Sequence, residues 1–179
     1  MERMNKHDFE FVVSLMDGFV RQPYIIEKLN MIHSNQITGW EIWFQVEFAT
    51  YLNNHTSIAE WEREKGFRTD KRKVSAKDKV IVDFVIKQKY AKKTNYIALE
   101  LKQHNSMATC IKKMQEDIGK IHFALKSDTS FRSFWNIGIH RKEAIDKMNA
   151  KLKQIEHNMF RNCIKVQIIE ETAFAYTIF

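Results

Sequence analysis

A single proline, five glycines and two cysteines among 179 residues leave few sites for chain breaks, special turns or covalent staples. With so little proline and glycine the chain is neither collagen-like nor a low-complexity linker, and its 44% hydrophobic content is too high for an intrinsically disordered segment. Cys110 and Cys163 lie far apart, and neither shares a metal-ligand spacing with another cysteine or with a close pair of histidines. That excludes a disulfide framework and a zinc module, and a reducing compartment, the cytoplasm, is expected. Long apolar runs are lacking too. The opening stretch MERMNKHDFEF mixes both charges, so neither a secretory signal peptide nor a spanning helix is expected there, and no membrane association. A chain of this length buries a core as one domain, residues 1–179, without help from disulfides or structural metals.

Negative charge is also in short supply, with 29 Lys and Arg against 22 Asp and Glu giving a net charge of +7. The excess is local. Residues 62–93 carry twelve basic and five acidic side chains, which accounts for the whole +7 and leaves the rest of the chain balanced. A localised positive field is the footprint of a polyanion partner, and nucleic acid is the commonest one. A solvated lysine-rich loop has the same composition, so charge alone does not decide. Arg68, Lys71, Arg72, Lys73 and Lys77 are the expected nucleic-acid contacts.

Periodicity supplies the elements. Phe9, Val12, Val13, Met16, Phe19 and Val20 recur at helical spacing up to Pro23, and Ile25, Leu29 and Ile32 mark a second short helix. A third, buried helix is expected from near Thr38 to about Leu52, aromatic on nearly every side except at Glu41, Gln45 and Glu47. From Ile58 a polar-rich stretch reads as a strand or an irregular connection. KVIVDFVIK and YIALELKQ are β-branched enough to be strands, joined by the polar connection QKYAKKTN as a hairpin. Met107, Cys110, Ile111, Met114 and Ile118 then give a long amphipathic helix capped by Asn105 or Ser106. FRSFWNIGIH reads as a strand, Ile145, Met148, Leu152 and Ile155 as another helix, and IKVQIIE with AFAYTIF as a terminal hairpin. That order predicts one α/β domain.

Strand alternation sends Ile81, Asp83 and Val85 to one side of the first strand and Val80, Val82, Phe84 and Ile86 to the other. In its partner Ala98, Glu100 and Lys102 share a side. An antiparallel pairing sets Asp83 opposite or diagonal to Glu100, with Lys102 one pleat further on. Because Ile81, Val85 and Ala98 interrupt the charged side, the charges are expected in a cleft. Two carboxylates forced together repel unless a cation neutralises them, and Mg²⁺, with Mn²⁺ as its substitute, accepts one or two carboxylates plus waters and phosphate oxygens. The carbonyl of Leu101 is a candidate third oxygen. Lys102 stands where it would position or deprotonate a metal-bound water, or stabilise charge on a pentavalent phosphate, which is metal-assisted phosphodiester hydrolysis.

IVDFVI followed by ELK, with 17 positions from Asp83 to Glu100, a Glu-bearing helix upstream and a helix then a strand downstream, resembles the PD-(D/E)xK nuclease superfamily over residues 38–140. Val82 stands where the signature has proline. The resemblance implies a restriction-endonuclease-like fold, a central mixed sheet flanked by helices, to which residues 1–35 add two helices and the last residues a hairpin. It implies an Mg²⁺-dependent endodeoxyribonuclease with Asp83, Glu100 and Glu41 on the metal and Lys102 on the attacking water. It also implies DNA as partner, with a homodimer or a larger nucleoprotein assembly left open. Glu41 followed by Gln45 is similar to the E-x-x-x-Q pattern of several branches.

Two readings stay open for the helix. Thr38 to Glu41 also fits a capping box, in which Glu41 reaches back to the first turn. Glu47, flanked at i−4 and i+4 by Trp43 and Tyr51, is the other candidate for the helix-borne acid. Gln45 is either a core amide or a partner of a metal water. An inactive or assembly-dependent nuclease-like nucleic-acid-binding protein is the alternative function.

Overall fold

The computed structural model describes residues 2–68, 79–90, 95–127, 131–156 and 163–179. The described elements follow the expected order: helices α1 (Glu2–Val20), α2 (Pro23–Ser34) and α3 (Glu41–Asn54), then strands β1 (Ile58–Arg68), β2 (Lys79–Gln88) and β3 (Tyr96–Gln103). Helix α4 (Met107–Ser127), β4 (Phe131–Arg141), α5 (Ile145–Glu156) and the pair β5 (Lys165–Ile168) and β6 (Phe174–Ile178) complete it. The fold is α/β, with a six-stranded mixed sheet in the order β1-β2-β3-β4-β6-β5. β3 and β4 run parallel, which requires a crossover, and α4 provides it. The other neighbouring strands are antiparallel.

Each face of the sheet has its own helices. On one, Val12, Met16 and Phe19 of α1, Ile25 and Leu29 of α2, and Phe44 and Phe48 of α3 pack with Phe84, Leu99, Ile137 and Tyr176. The first two helices therefore share the sheet's own core. On the other face Cys110 and Met114 of α4 and Met148 and Leu152 of α5 close over Val166, Ala175 and Phe179. Alternation along β6 serves both layers, with Phe174, Tyr176 and Ile178 on one side and Ala175 and Phe179 on the other. Ion pairs fasten the edges of this packing: buried Arg132 of β4 meets Asp8 of α1 at 2.8 Å, and Lys165 of β5 meets Asp17 at 3.2 Å. Among the described residues no helix is long and apolar enough to cross a membrane.

Three local expectations change. Helix α3 starts at Glu41 rather than near Thr38, because Gly39 takes φ +69°, a left-handed conformation incompatible with a helical turn. Residues 58–68 form a full strand, held by its ladder to β2 from Ile58↔Gln88 to Arg68↔Lys79. Strict alternation also fails in β2. Val80 and Val82 pack with Val85, Ala98 and Phe67, apart from Phe84 and Ile86, so the side-chain order reverses at Asp83. Opposite it in β1, Glu64 takes φ +55°, and the ladder passes from Arg63↔Phe84 to Lys65↔Val82. Ile81, expected beside the charges, is 61% exposed.

Candidate active site in the fork between β2 and β3

The central strands pair only briefly among the described residues. β2 and β3 are in register from Ile86↔Ile97 to Phe84↔Leu99. Beyond that point β2 continues along β1 to Lys79↔Arg68, while β3 continues along β4 to Gln103↔Ile139. The strands fork where Asp83 and Glu100 stand. Parting strands leave backbone groups without ladder partners, and two side chains take their place. The Leu101 N–H donates to Asp83 Oδ2 at 2.7 Å, and the Asp83 N–H donates to Glu100 Oε2 at 3.3 Å. Each carboxylate thus binds backbone of the opposite strand, which fixes the pair across the gap.

Three elements close around this pair. Lys102, two residues along β3, places Nζ 2.7 Å from Glu100 Oε1 and 3.0 Å from Oδ2 of Asp117 on α4. From α3, Glu41 Oε2 accepts the Gln103 N–H at 2.8 Å. Trp40 caps that helix without any side-chain bond, so the capping-box alternative for Glu41 does not hold. Gln45 is a buried amide whose Oε1 accepts from Arg63 Nη2 of β1 at 3.1 Å, while its other end donates to the Asp83 carboxylate. A chain of contacts from β1 through α3 to β2 therefore orients Asp83.

Burial dominates the electrostatics. It pushes the Asp83 carboxyl above its usual range, against the Leu101 N–H, Lys102 and Gln45, which favour the charge. Glu100 is raised to about 7 by burial and by Asp83, with Lys102 pulling the other way. Glu41 is raised by burial too, although the Gln103 N–H and Lys102 oppose it. Burial alone would lower Lys102, but Glu100 and Asp117 more than reverse that and hold it as an ammonium. Three acids raised together beside one cation form a site with a deficit of positive charge.

The remaining sequence candidates lie elsewhere. Glu47 sits on another face of α3, half-buried, where Trp43 Nε1 donates to it at 3.1 Å, and it lines an open cleft with Tyr24, Tyr51 and His55. It does not join the fork. Leu101 contributes its N–H to Asp83. Lys71, Arg72, Lys73 and Lys77 lie outside the described residues, and of Arg68 the described part is its backbone in β1. His140 is buried, with its ring nitrogens 2.9 Å from Thr177 Oγ1 and the Arg141 carbonyl, a satisfied core histidine.

Asp117 and Arg63 were not candidates, and each carried a signal. Asp117 falls three residues after Met114 and seven after Cys110, on the apolar stripe of α4, where a carboxylate needs a partner. Arg63 lies two residues from Trp61 on the inward side of β1, opposite Phe84.

The donor set suits a hard cation. Asp83 and Glu100 are adjacent carboxylates, the ligand type Mg²⁺ prefers, and they supply the one or two that such an ion takes from protein. Next to Glu100 in the β3–β4 register, Asn136 is fully buried with neither end of its side-chain amide hydrogen-bonded. Among the described residues no three His, Cys, Asp or Glu side chains come together as a complete metal cage, so any ion here would rely on water or substrate oxygens for its remaining ligands. No protein-family model matches the chain, and no curated protein or solved structure is significantly similar to it.

Proposed function

We propose that this chain is a metal-dependent nuclease of the PD-(D/E)xK type, with a restriction-endonuclease-like fold, that hydrolyses phosphodiester bonds of DNA. The observation that carries the reading is the fork: Asp83 and Glu100, 17 residues apart in sequence, held on each other's backbone with Lys102 2.7 Å from Glu100. Carboxylates kept together at the cost of their own ionisation, with a lysine beside them, make a poor structural brace and a good cation site.

Mg²⁺ or Mn²⁺ bound there would polarise the phosphate and acidify a water. Asp83 and Glu100 would hold it, with Glu41 on α3, whose charge is felt together with those of Asp83 and Lys102, as the helix-borne acid. Held as an ammonium, Lys102 donates to the attacking water and faces the charge developing on the phosphate. Gln45 and Arg63 keep Asp83 in its rotamer. The basic stretch grips the duplex by its phosphates, which makes binding sequence-tolerant and salt-sensitive.

The test is plasmid nicking by the purified chain with Mg²⁺, Mn²⁺ or EDTA, with Asp83→Ala as the control. Metal-dependent nicking that disappears in the variant is the expected result. Retention on DNA without nicking supports the second reading, an inactive or assembly-dependent nuclease-like binding protein. Failure to bind DNA even at low salt overturns both.

A further inference from the structure

The fork holds a lysine by two carboxylates, but the proposed chemistry needs one of them for the cation. Lys102 Nζ lies 2.7 Å from Glu100 Oε1 and 3.0 Å from Asp117 Oδ2. Glu100 cannot serve a hard cation with the same oxygen and keep the ammonium at full strength. Asp117 carries no such conflict. It comes from α4 rather than from the strands of the fork, and is 8% exposed. Helix α4 is itself fixed to the sheet, since Met107, Cys110 and Met114 are fully buried and the Thr109 N–H is capped by Ser106 Oγ at 3.4 Å. The anchor therefore stands on a helix packed against the sheet it serves.

We propose that Asp117 is a positioning residue that retains the Lys102 ammonium at the site when Glu100 is committed to the cation. The inference rests on the nuclease reading for its purpose but not for its geometry. Without Asp117, a lysine released by Glu100 swings into solvent on its flexible stem, and the water and phosphate lose their donor. With it, Lys102 changes partners without changing place. Lys113, one turn before Asp117 on α4, adds positive charge near Glu41.

The experiment reads Lys102 directly, by amine acetylation followed by peptide mass spectrometry, in four proteins: wild type, Glu100→Gln, Asp117→Asn and the double variant. Glu100→Gln imitates a Glu100 whose charge has been taken by a cation, so no metal is needed. Lys102 is expected to stay protected in wild type and in Glu100→Gln and to label several-fold faster in the double variant. If Glu100→Gln labels as fast as the double variant, Asp117 does not hold the lysine and the inference falls. Asp117→Glu, checked for folding by circular dichroism, is expected to restore protection in the Glu100→Gln background, which a loss caused by general unfolding would not permit.

Kinetics separate this inference from the reading it rests on. Asp117→Asn is expected to lower kcat roughly 10- to 100-fold, as loss of groups that orient a catalytic centre does, with KM for DNA unchanged. A wild type that never nicks DNA, with the labelling pattern intact, removes the nuclease and leaves the anchor. Nicking by wild type with no labelling difference among the variants does the reverse.

Discussion

Glu100 ionises against both its burial and the charge of Asp83, and that conflict has a measurable sign. Its pKa is raised to about 7 in the fold, so the native state binds a proton that the unfolded chain has already released. Its contribution to stability is complete below its ordinary value near 4.5 and is lost as the pH rises through about 7. In the absence of metal, the unfolding free energy of wild type should fall across that window with a slope on the order of 1 kcal/mol per pH unit at its steepest, the melting temperature falling with it, and Glu100→Gln should flatten the fall. A parallel pair of melting curves would show that Glu100 is not the group. Added Mg²⁺ should raise the melting temperature more at pH 8 than at pH 5, since protons compete for the same oxygens. Asp83→Asn keeps an oxygen for the Leu101 N–H but removes the charge opposing Glu100. It should narrow the pH dependence and abolish metal-dependent stabilisation together, as calorimetry with and without Mn²⁺ would show. At this scale the sequence was legible where a charge interrupts an apolar strand, at Asp83, Glu100 and Lys102, although alternation placed Asp83 beside Ile81 and Val85 and the order of sides reverses there. It was not where a residue's purpose is a partner from a distant element. Nothing within one turn of Asp117 names Lys102, and the capping reading of Glu41 was locally as good as its actual bond to Gln103.

Elements were readable because each keeps one period over a long run, and boundaries were missed where a single residue breaks it. The left-handed Gly39 delays α3, and Glu64 with its positive φ reverses the sides of β2 at Asp83. Pairing partners were harder, since the β2–β3 hairpin is local but the fork depends on β4, more than thirty residues beyond β3's start. The contact between α4 and β4 offers a test of how closely the anchor helix is seated. A Cβ added at Gly138 would lie 2.4 Å from Met114 Sδ and 2.8 Å from Cys110 Sγ. Methionine yields easily, the short cysteine side chain does not, and the helix must lift or tilt. Gly138→Ala is expected to cost about 1–2 kcal/mol, read by denaturant titration. Because α4 carries Asp117, kcat should fall further than the loss of stability explains, with the protein still folded at the assay temperature. Full activity in a destabilised Gly138→Ala protein would mean that the site tolerates movement of α4.

Over the whole molecule the excess positive charge belongs to one stretch of sequence, and that stretch includes the strand that carries Asp83. Residues 62–93 hold the entire net +7, and their two flanking strands are paired up to Arg68↔Lys79. Lys79 is four residues from Asp83, so the connection that carries Lys71, Arg72, Lys73 and Lys77 leaves β2 within about 13 Å of the fork, at roughly 3.3 Å per strand residue. It leaves from the end at which β2 and β3 part, the side from which a phosphate backbone would approach on the proposed nuclease reading. Binding and chemistry should then be separable. Each lysine or arginine that neutralises a phosphate releases a counterion, and the slope of log affinity against log salt shrinks by about 0.9 for every such contact removed from duplex binding. Replacing Lys71, Arg72, Lys73 and Lys77 by glutamine should therefore weaken binding to duplexes of any sequence and flatten the salt dependence by up to about four of these steps, measured by fluorescence anisotropy from low to moderate salt. At saturating DNA and low salt, nicking by that variant should stay near the wild-type rate, since Asp83, Glu100 and Lys102 are untouched. A lost rate with an unchanged salt slope would place the phosphate grip elsewhere and make the basic stretch part of the catalytic apparatus.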